Sequence, residues 1–182
     1  ISSLFTARDC QETIDYPYVE ERLRESRPGS GGVVFLPYLN GERFPVMDSL
    51  AKGSFLGVTG ATGQGDMIRS CLEGVAFSIR QGIECIGVPP KSISVIGGGG
   101  RVSIWNQILA DILDQTVYVY QDGEMLPALA LGAAVLLAEG RIRGYSESTD
   151  SLPGRERTAA YEPDPERAAF YEGLYRRYLD IY

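Results

Sequence analysis

Ser92-Ile93-Ser94-Val95-Ile96-Gly97-Gly98-Gly99-Gly100-Arg101 decides how this chain folds. Five residues of strand character run straight into four glycines. Past them, Ile104, Trp105, Ile108, Leu109, Ile112 and Leu113 recur at helical spacing. Thr116–Tyr120 is rich in residues that suit a pleated surface. Strand, helix, strand in that order predicts a parallel pair joined by a crossover helix, and so an α/β fold.

Outward from this unit the pattern continues. Pro127 opens a third helix of small residues (Ala128, Ala130, Gly132, Ala133, Ala134) that Gly140 closes. Upstream, Met67, Ile68, Cys71, Leu72, Val75, Ile79, Ile83 and Ile86 form one apolar helical stripe, with Pro89-Pro90 as its stop. Asn40 to Gly65 is glycine-rich and irregular, with a strand-like piece at Ser54–Thr59. Val33–Leu39 reads as a strand halted at Pro37, and Pro28–Gly32 as a turn. Residues 3–26 are a polar, helical lead-in. Residues 145–164 read as a polar surface linker, followed by a helix with Tyr171, Leu174, Tyr175, Tyr178 and Leu179 on one side. The chain therefore divides into a lobe at 1–144 and a linker with a C-terminal helix at 145–182.

The bulk numbers exclude several classes. The 182 residues are 44% hydrophobic and 23% charged, which fits a folded, water-soluble domain. Net charge is −7, with no basic stripe, which argues against nucleic acid. No apolar run reaches the ~20 residues of a membrane span. The absence of histidine removes Ser-His-Asp and Cys-His chemistry. Cys10, Cys71 and Cys85 fit neither a disulfide framework nor a zinc site, so a reducing cytoplasm is the simplest setting.

The glycine run is the strongest chemical feature. Four residues without Cβ atoms, entering a helix, offer backbone N–H groups and the helix dipole to phosphate, or a bare surface to a flat base. The competing reading is a tight turn that binds nothing. A dinucleotide-binding enzyme is a further alternative: Gly97-x-Gly99 and Asp122 fit it, but Val102 stands where the third glycine belongs. No Gly-Lys-Ser/Thr follows, so the P-loop pattern is missing. Glu20 with Glu21, and Asp164 with Glu166, read as a solvated face. Glu42 and Arg43 either line a cleft or pair to hold their loop, and Glu73 reads as a buried structural carboxylate.

Four motifs in order resemble the FGGY carbohydrate kinases, closest to the xylulose kinase branch. Gly53-x-Phe55-x-Gly57-Val58, then seven residues to Asp66-Met67-x-x-Ser70-x-Leu72-Glu73-Gly74, resembles that family's second signature. Phe35-Leu36-Pro37-Tyr38-Leu39-Asn40-Gly41-Glu42-Arg43-Phe44-Pro45 is similar to an upstream segment of the xylulose kinases. Gly97–Arg101 with Trp105, Gln107, Ala110 and Asp111 resembles the adenosine loop. Ala130-Leu131-Gly132-Ala133-Ala134 resembles the helix that closes the nucleotide site.

The resemblance implies the C-terminal lobe of an actin/hexokinase-like (ribonuclease H-like) two-lobed kinase, lacking its first strands. It implies ATP and Mg2+ as cofactors and a sugar or polyol substrate, a pentulose such as xylulose foremost. Gly97, Gly98, Gly99, Gly100 and Arg101 would cradle the adenosine, with Ala61 and Gly65 near the base or ribose. The catalytic base would lie in the N-terminal lobe, so this chain alone is expected to be inactive. Strand 92–96 would present an open edge, to be met by missing strands or by a second copy in a homodimer. The same motifs leave room for a non-catalytic, actin-like assembly module. Three departures bear on substrate: Val102 after the glycines, no histidine between Gly57 and Asp66, and Phe44-Pro45-Val46 in place of a more polar stretch.

Overall fold

A computed structural model describes residues 15–120, 123, 125–149 and 157–181. Cys10, Asp122 and the start of the expected lead-in lie outside them. The expected parallel unit is present. Strands β3 (Ile93–Val95) and β4 (Val117–Tyr120) pair in parallel, with Ile93 opposite Val117 and Val95 opposite Val119. Helix α3 (Ser103–Leu113) joins them and buries Ile108, Leu109 and Ile112. Among the described residues β3 is an edge strand, as expected for 92–96.

The other neighbour of β4 corrects the linker reading of 145–164. That stretch holds a short helix α5 (Tyr145–Thr149) and a strand β5 (Arg157–Tyr161), antiparallel to β4 with Tyr161 opposite Val117. Arg-Thr-Ala-Ala-Tyr lacks the alternation of a half-buried strand, and its register shifts between Val119 and Tyr120, which stand opposite Ala159 and Arg157. The Arg157 guanidinium lies over the Tyr118 ring, 3.7 Å from the centroid, and supplies apolar contact that sequence pattern does not reveal.

Before this sheet come α1 (Tyr16–Glu25), the antiparallel pair β1 (Val34–Leu36) and β2 (Ser54–Leu56), and α2 (Gln64–Ile86). Helix α2 ends at Gly87, whose φ of +73° closes the last turn onto the Glu84 carbonyl, before Pro89 is reached. The apolar stripe of α2 is only partly buried. Ile68, Cys71, Ala76 and Phe77 are inside, whereas Val75, Ile79 and Ile86 are exposed. Glycines set this orientation. Gly74 lets the β1 backbone approach so closely that a Cβ there would strike the Phe35 carbonyl oxygen, and Gly82 faces the Phe44 ring. Cys85 is exposed on the same helix, while burial pushes the Cys71 thiol up to about 12.

Helix α6 (Pro165–Leu179) seals the core. Phe77 meets the rings of Tyr171, Tyr175 and Tyr178 with centroids 6.2, 5.8 and 5.3 Å apart. The Tyr38 and Tyr178 hydroxyls share a 2.8 Å hydrogen bond. Helix α4 (Leu126–Ala138) differs from all of these: Ala133 is its one buried residue, and Leu131 and Val135 face solvent. No described helix is long and apolar enough to cross a membrane.

Candidate functional site

The glycine run lies at the end of β3. Gly97 has φ +85° and ψ −172°, a region essentially open to glycine only, and it turns the chain out of the strand. Gly98–Arg101 then form one 3-10 turn, in which Gly100 N–H donates to Gly97 O and Val102 N–H to Gly99 O, both at 3.2 Å. This corrects the expectation that the glycines feed directly into a helix. Buried Val102 intervenes, and α3 starts only at Ser103.

The N-terminus of α3 is already occupied. Glu20 Oε1, from α1, accepts the Ser103 backbone N–H at 3.0 Å and the Ser103 hydroxyl at 2.9 Å. A carboxylate in that position satisfies the positive end of the helix dipole and opposes a second anion. The geometry therefore favours a flat, uncharged ring on the turn over a phosphate on the helix end. Glu20, expected on a solvated face, is thus a cap contributed by another helix. Asp164 is a cap too, accepting the N–H groups of Glu166 and Arg167 at the start of α6.

Each glycine of the run faces something different. A Cβ on Gly98 would run into the Tyr16 hydroxyl, and one on Gly100 would press on Val119 at 3.3 Å. One on Gly99 would make ordinary contact with the Trp105 indole nitrogen at 3.5 Å, and one on Gly97 would meet open space. The fold itself requires glycine at 97 and disfavours a side chain at 98, so part of the run serves the turn. Gly99 is exposed, without a positive φ, and has only ordinary contacts at its Cβ position. Asn106, fully buried, anchors the turn from beneath by donating from Nδ2 to Gly100 O at 2.9 Å.

Arg101 is exposed at the end of this turn. Ala61 is exposed in a separate turn, where its N–H donates to Thr59 Oγ1 at 3.2 Å. Gly65 is buried in the first turn of α2, directly against the Arg22 carbonyl oxygen. Gly97–Arg101 thus form one surface, while Ala61 and Gly65 belong to the entry of α2. Helix α1 touches both segments. Sequence reading passed over Tyr16 and placed Glu20 on a solvated face because their partners lie some eighty residues away. The only local sign is their spacing of four on one helix.

Three further carboxylates hold the fold together through hydrogen bonds. Glu73, 3% exposed, accepts from Gly29 N–H (2.9 Å), Ser30 hydroxyl (2.7 Å) and Tyr171 hydroxyl (2.7 Å), with Arg69 at 4.0 Å. Burial nonetheless pushes its carboxyl above the ordinary value. Asp66 accepts the Ser26 hydroxyl at 2.6 Å and Gly63 N–H at 3.1 Å. Glu42 holds its loop by accepting the backbone N–H groups of Arg43 and Phe44. Among the described residues no cluster of three metal-ligating side chains occurs.

Comparison with known proteins matches this architecture. Residues 5–139 match the model of the FGGY family of carbohydrate kinases, C-terminal domain. The chain is 35% identical over 159 residues to the xylulose kinase of Escherichia coli, covering 82% of this chain and 32% of that protein. It is 34% identical over 172 residues to the gluconokinase of Bacillus licheniformis, covering 91% and 32%. The ligand-bound xylulose kinase of Lactobacillus acidophilus superposes with a TM-score of 0.74 at 27% identity, over 90% of this chain and 33% of that one. The chain thus spans about a third of the length of these relatives. With the β3-α3-β4 unit, the glycine turn and the family match in agreement, the chain belongs to the FGGY family of carbohydrate kinases, as its C-terminal domain.

Proposed function

We propose that this chain is the ATP-binding part of a carbohydrate kinase that moves the γ-phosphate of ATP onto a sugar or polyol hydroxyl. The observation that carries it is the exposed glycine turn at the end of β3, with Gly97 and Gly99 open and the adjoining helix terminus closed by Glu20. A purine ring resting on that turn would meet glycine backbone beside the Trp105 indole, and Arg101 ends the same turn. Ala61 remains part of this proposal as a neighbour of the base or ribose. Gly65, enclosed by α1, acts instead through the packing of α2.

ATP would supply the transferable phosphoryl group, with Mg2+ as its companion. This chain's residues would hold the adenosine and fix its direction, so that catalysis comes from positioning. The acceptor and the carboxylate that takes its proton belong to an N-terminal lobe facing this one. Pentuloses and gluconate are the acceptors to compare first, because xylulose kinases and gluconokinases are both among the relatives.

The test is ATP-dependent phosphorylation of xylulose and of gluconate by the polypeptide carrying both lobes. Turnover with one of them, absent from the isolated chain, is expected. Turnover by this chain alone, or none with any sugar or polyol by both lobes together, would overturn the proposal.

A further inference from the structure

Tyr16 and Glu20 stand one turn apart on α1, and both reach the segment that bears the glycine run. The Tyr16 hydroxyl occupies the side of Gly98 where a side chain would project. Glu20 takes both donors of Ser103, 83 residues away, and is steadied by Arg24 at 3.5 Å. The same helix grips the start of α2. Arg22 O seats Gly65, Ser26 bonds Asp66, and Arg69 donates to Leu23 O at 3.0 Å. Beneath these polar contacts, Val19 and Leu23 pack with Ile68 and Val102 in one apolar cluster.

We propose that Tyr16 and Glu20 are positioning residues of the nucleotide site: α1 is the strut that sets the glycine turn in the shape that receives adenosine, without touching it. This rests on the assignment of the glycine turn to ATP. Tyr16 backs one side of the turn, Asn106 anchors it from beneath, and Glu20 fixes where α3 begins. The face bearing Gly97 and Gly99 is the one left for a ligand. Because α1 is also pinned to α2, the turn bearing Ala61 and the glycine turn are held in one frame.

The geometry provides a specific double-mutant test. A Cβ at position 98 strikes the Tyr16 hydroxyl, but it would stand 3.5 Å from the ring carbon that carries it, an ordinary contact. Gly98→Ala is expected to raise the Kd for ATP about tenfold, Tyr16→Phe alone to change it less than about twofold, and the double variant to return to within about threefold of wild type. Glu20→Ala should match Gly98→Ala, and Glu20→Gln, which keeps the acceptor, should restore binding. In Gly98→Ala and Glu20→Ala the loss is expected in KM for ATP and not in the sugar KM.

A second readout needs no nucleotide. Trp105 is the chain's single tryptophan and lies beside Gly99. Its emission should shift in Gly98→Ala and Glu20→Ala, and not in Tyr16→Phe or Glu20→Gln. A double variant as weak as Gly98→Ala, or Glu20→Ala with unchanged emission and unchanged ATP affinity, would overturn the strut. Failure of the wild-type two-lobed protein to bind ATP would instead overturn the assignment of the turn itself.

Discussion

The Tyr171 hydroxyl donates to Glu73 Oε1 at 2.7 Å, joining α6 to α2 across 98 residues of sequence. The same oxygen accepts Gly29 N–H, and its twin accepts the Ser30 hydroxyl. One buried carboxylate therefore organises three separate segments. Glu73→Ala would leave buried donors without an acceptor and should cost about 3–5 kcal/mol of stability, while Glu73→Gln should cost only about 1 kcal/mol. Urea denaturation monitored by circular dichroism measures both.

The same residue gives a pH dependence of definite sign. Burial raises the Glu73 carboxyl above its ordinary value of 4.5, so the folded state holds its proton to higher pH than the unfolded state. Its contribution is fully present below about 4.5 and is lost as pH rises through the elevated folded value. Wild type should lose stability relative to Glu73→Gln as pH is raised from about 4.5 toward neutrality. A difference that is flat with pH, or that grows in favour of wild type, would remove burial as the dominant influence.

Gly74→Ala separates local preference from packing. Alanine favours a helix over glycine by about 1 kcal/mol, so propensity alone predicts stabilisation. The new Cβ meets the Phe35 carbonyl oxygen, however, and Phe35 is pinned opposite Phe55 in the β1–β2 pair. Overpacking against a strand that cannot retreat should dominate, with a net loss of about 1–3 kcal/mol. A raised melting temperature would show that β1 yields.

Asp111, 3% exposed, accepts from Gln107 Nε2 (2.8 Å), Asp164 N–H (2.9 Å) and Arg167 Nε (2.6 Å), tying α3 to the start of α6. Its partner Arg167 is 40% exposed and regains water when the pair is broken. Truncation should therefore be asymmetric. Asp111→Ala should cost about 2–3 kcal/mol and Arg167→Ala under about 1 kcal/mol, measured as urea midpoints. Equal costs would mean that the ion pair, rather than the carboxylate's hydrogen bonds, holds the helices together.

The parts legible in sequence are those where one residue type has one physical use. The strand from Ser92 and the helix from Ile104 announced a parallel unit through period and order, and Glu73 announced itself as structural by lying in an apolar helix. Strand β5 escaped because Arg157 and Thr158 look like linker residues until Tyr118 and β4 are beside them. The orientation of α2 escaped because Gly74 and Gly82, silent in a hydrophobic pattern, decide which face is buried. At the site, Gly97–Gly100 stood out, but their division of labour did not. Tyr16, Glu20 and Trp105 define it from elsewhere in the chain or from the following helix.

Gly99 is where the central claim is exposed to the most direct test. It is solvent-exposed, has no positive φ and has only ordinary contact at its Cβ position, so a side chain there leaves the turn intact. In the two-lobed protein, Gly99→Asp places a carboxylate on the open face of the turn, where it blocks a ring and repels phosphates. Calorimetric titration of this variant with ATP and with the sugar is the measurement. ATP binding should be abolished, with sugar affinity and melting temperature unchanged. A correctly folded variant that binds ATP as tightly as wild type would contradict the account and move the nucleotide away from this turn.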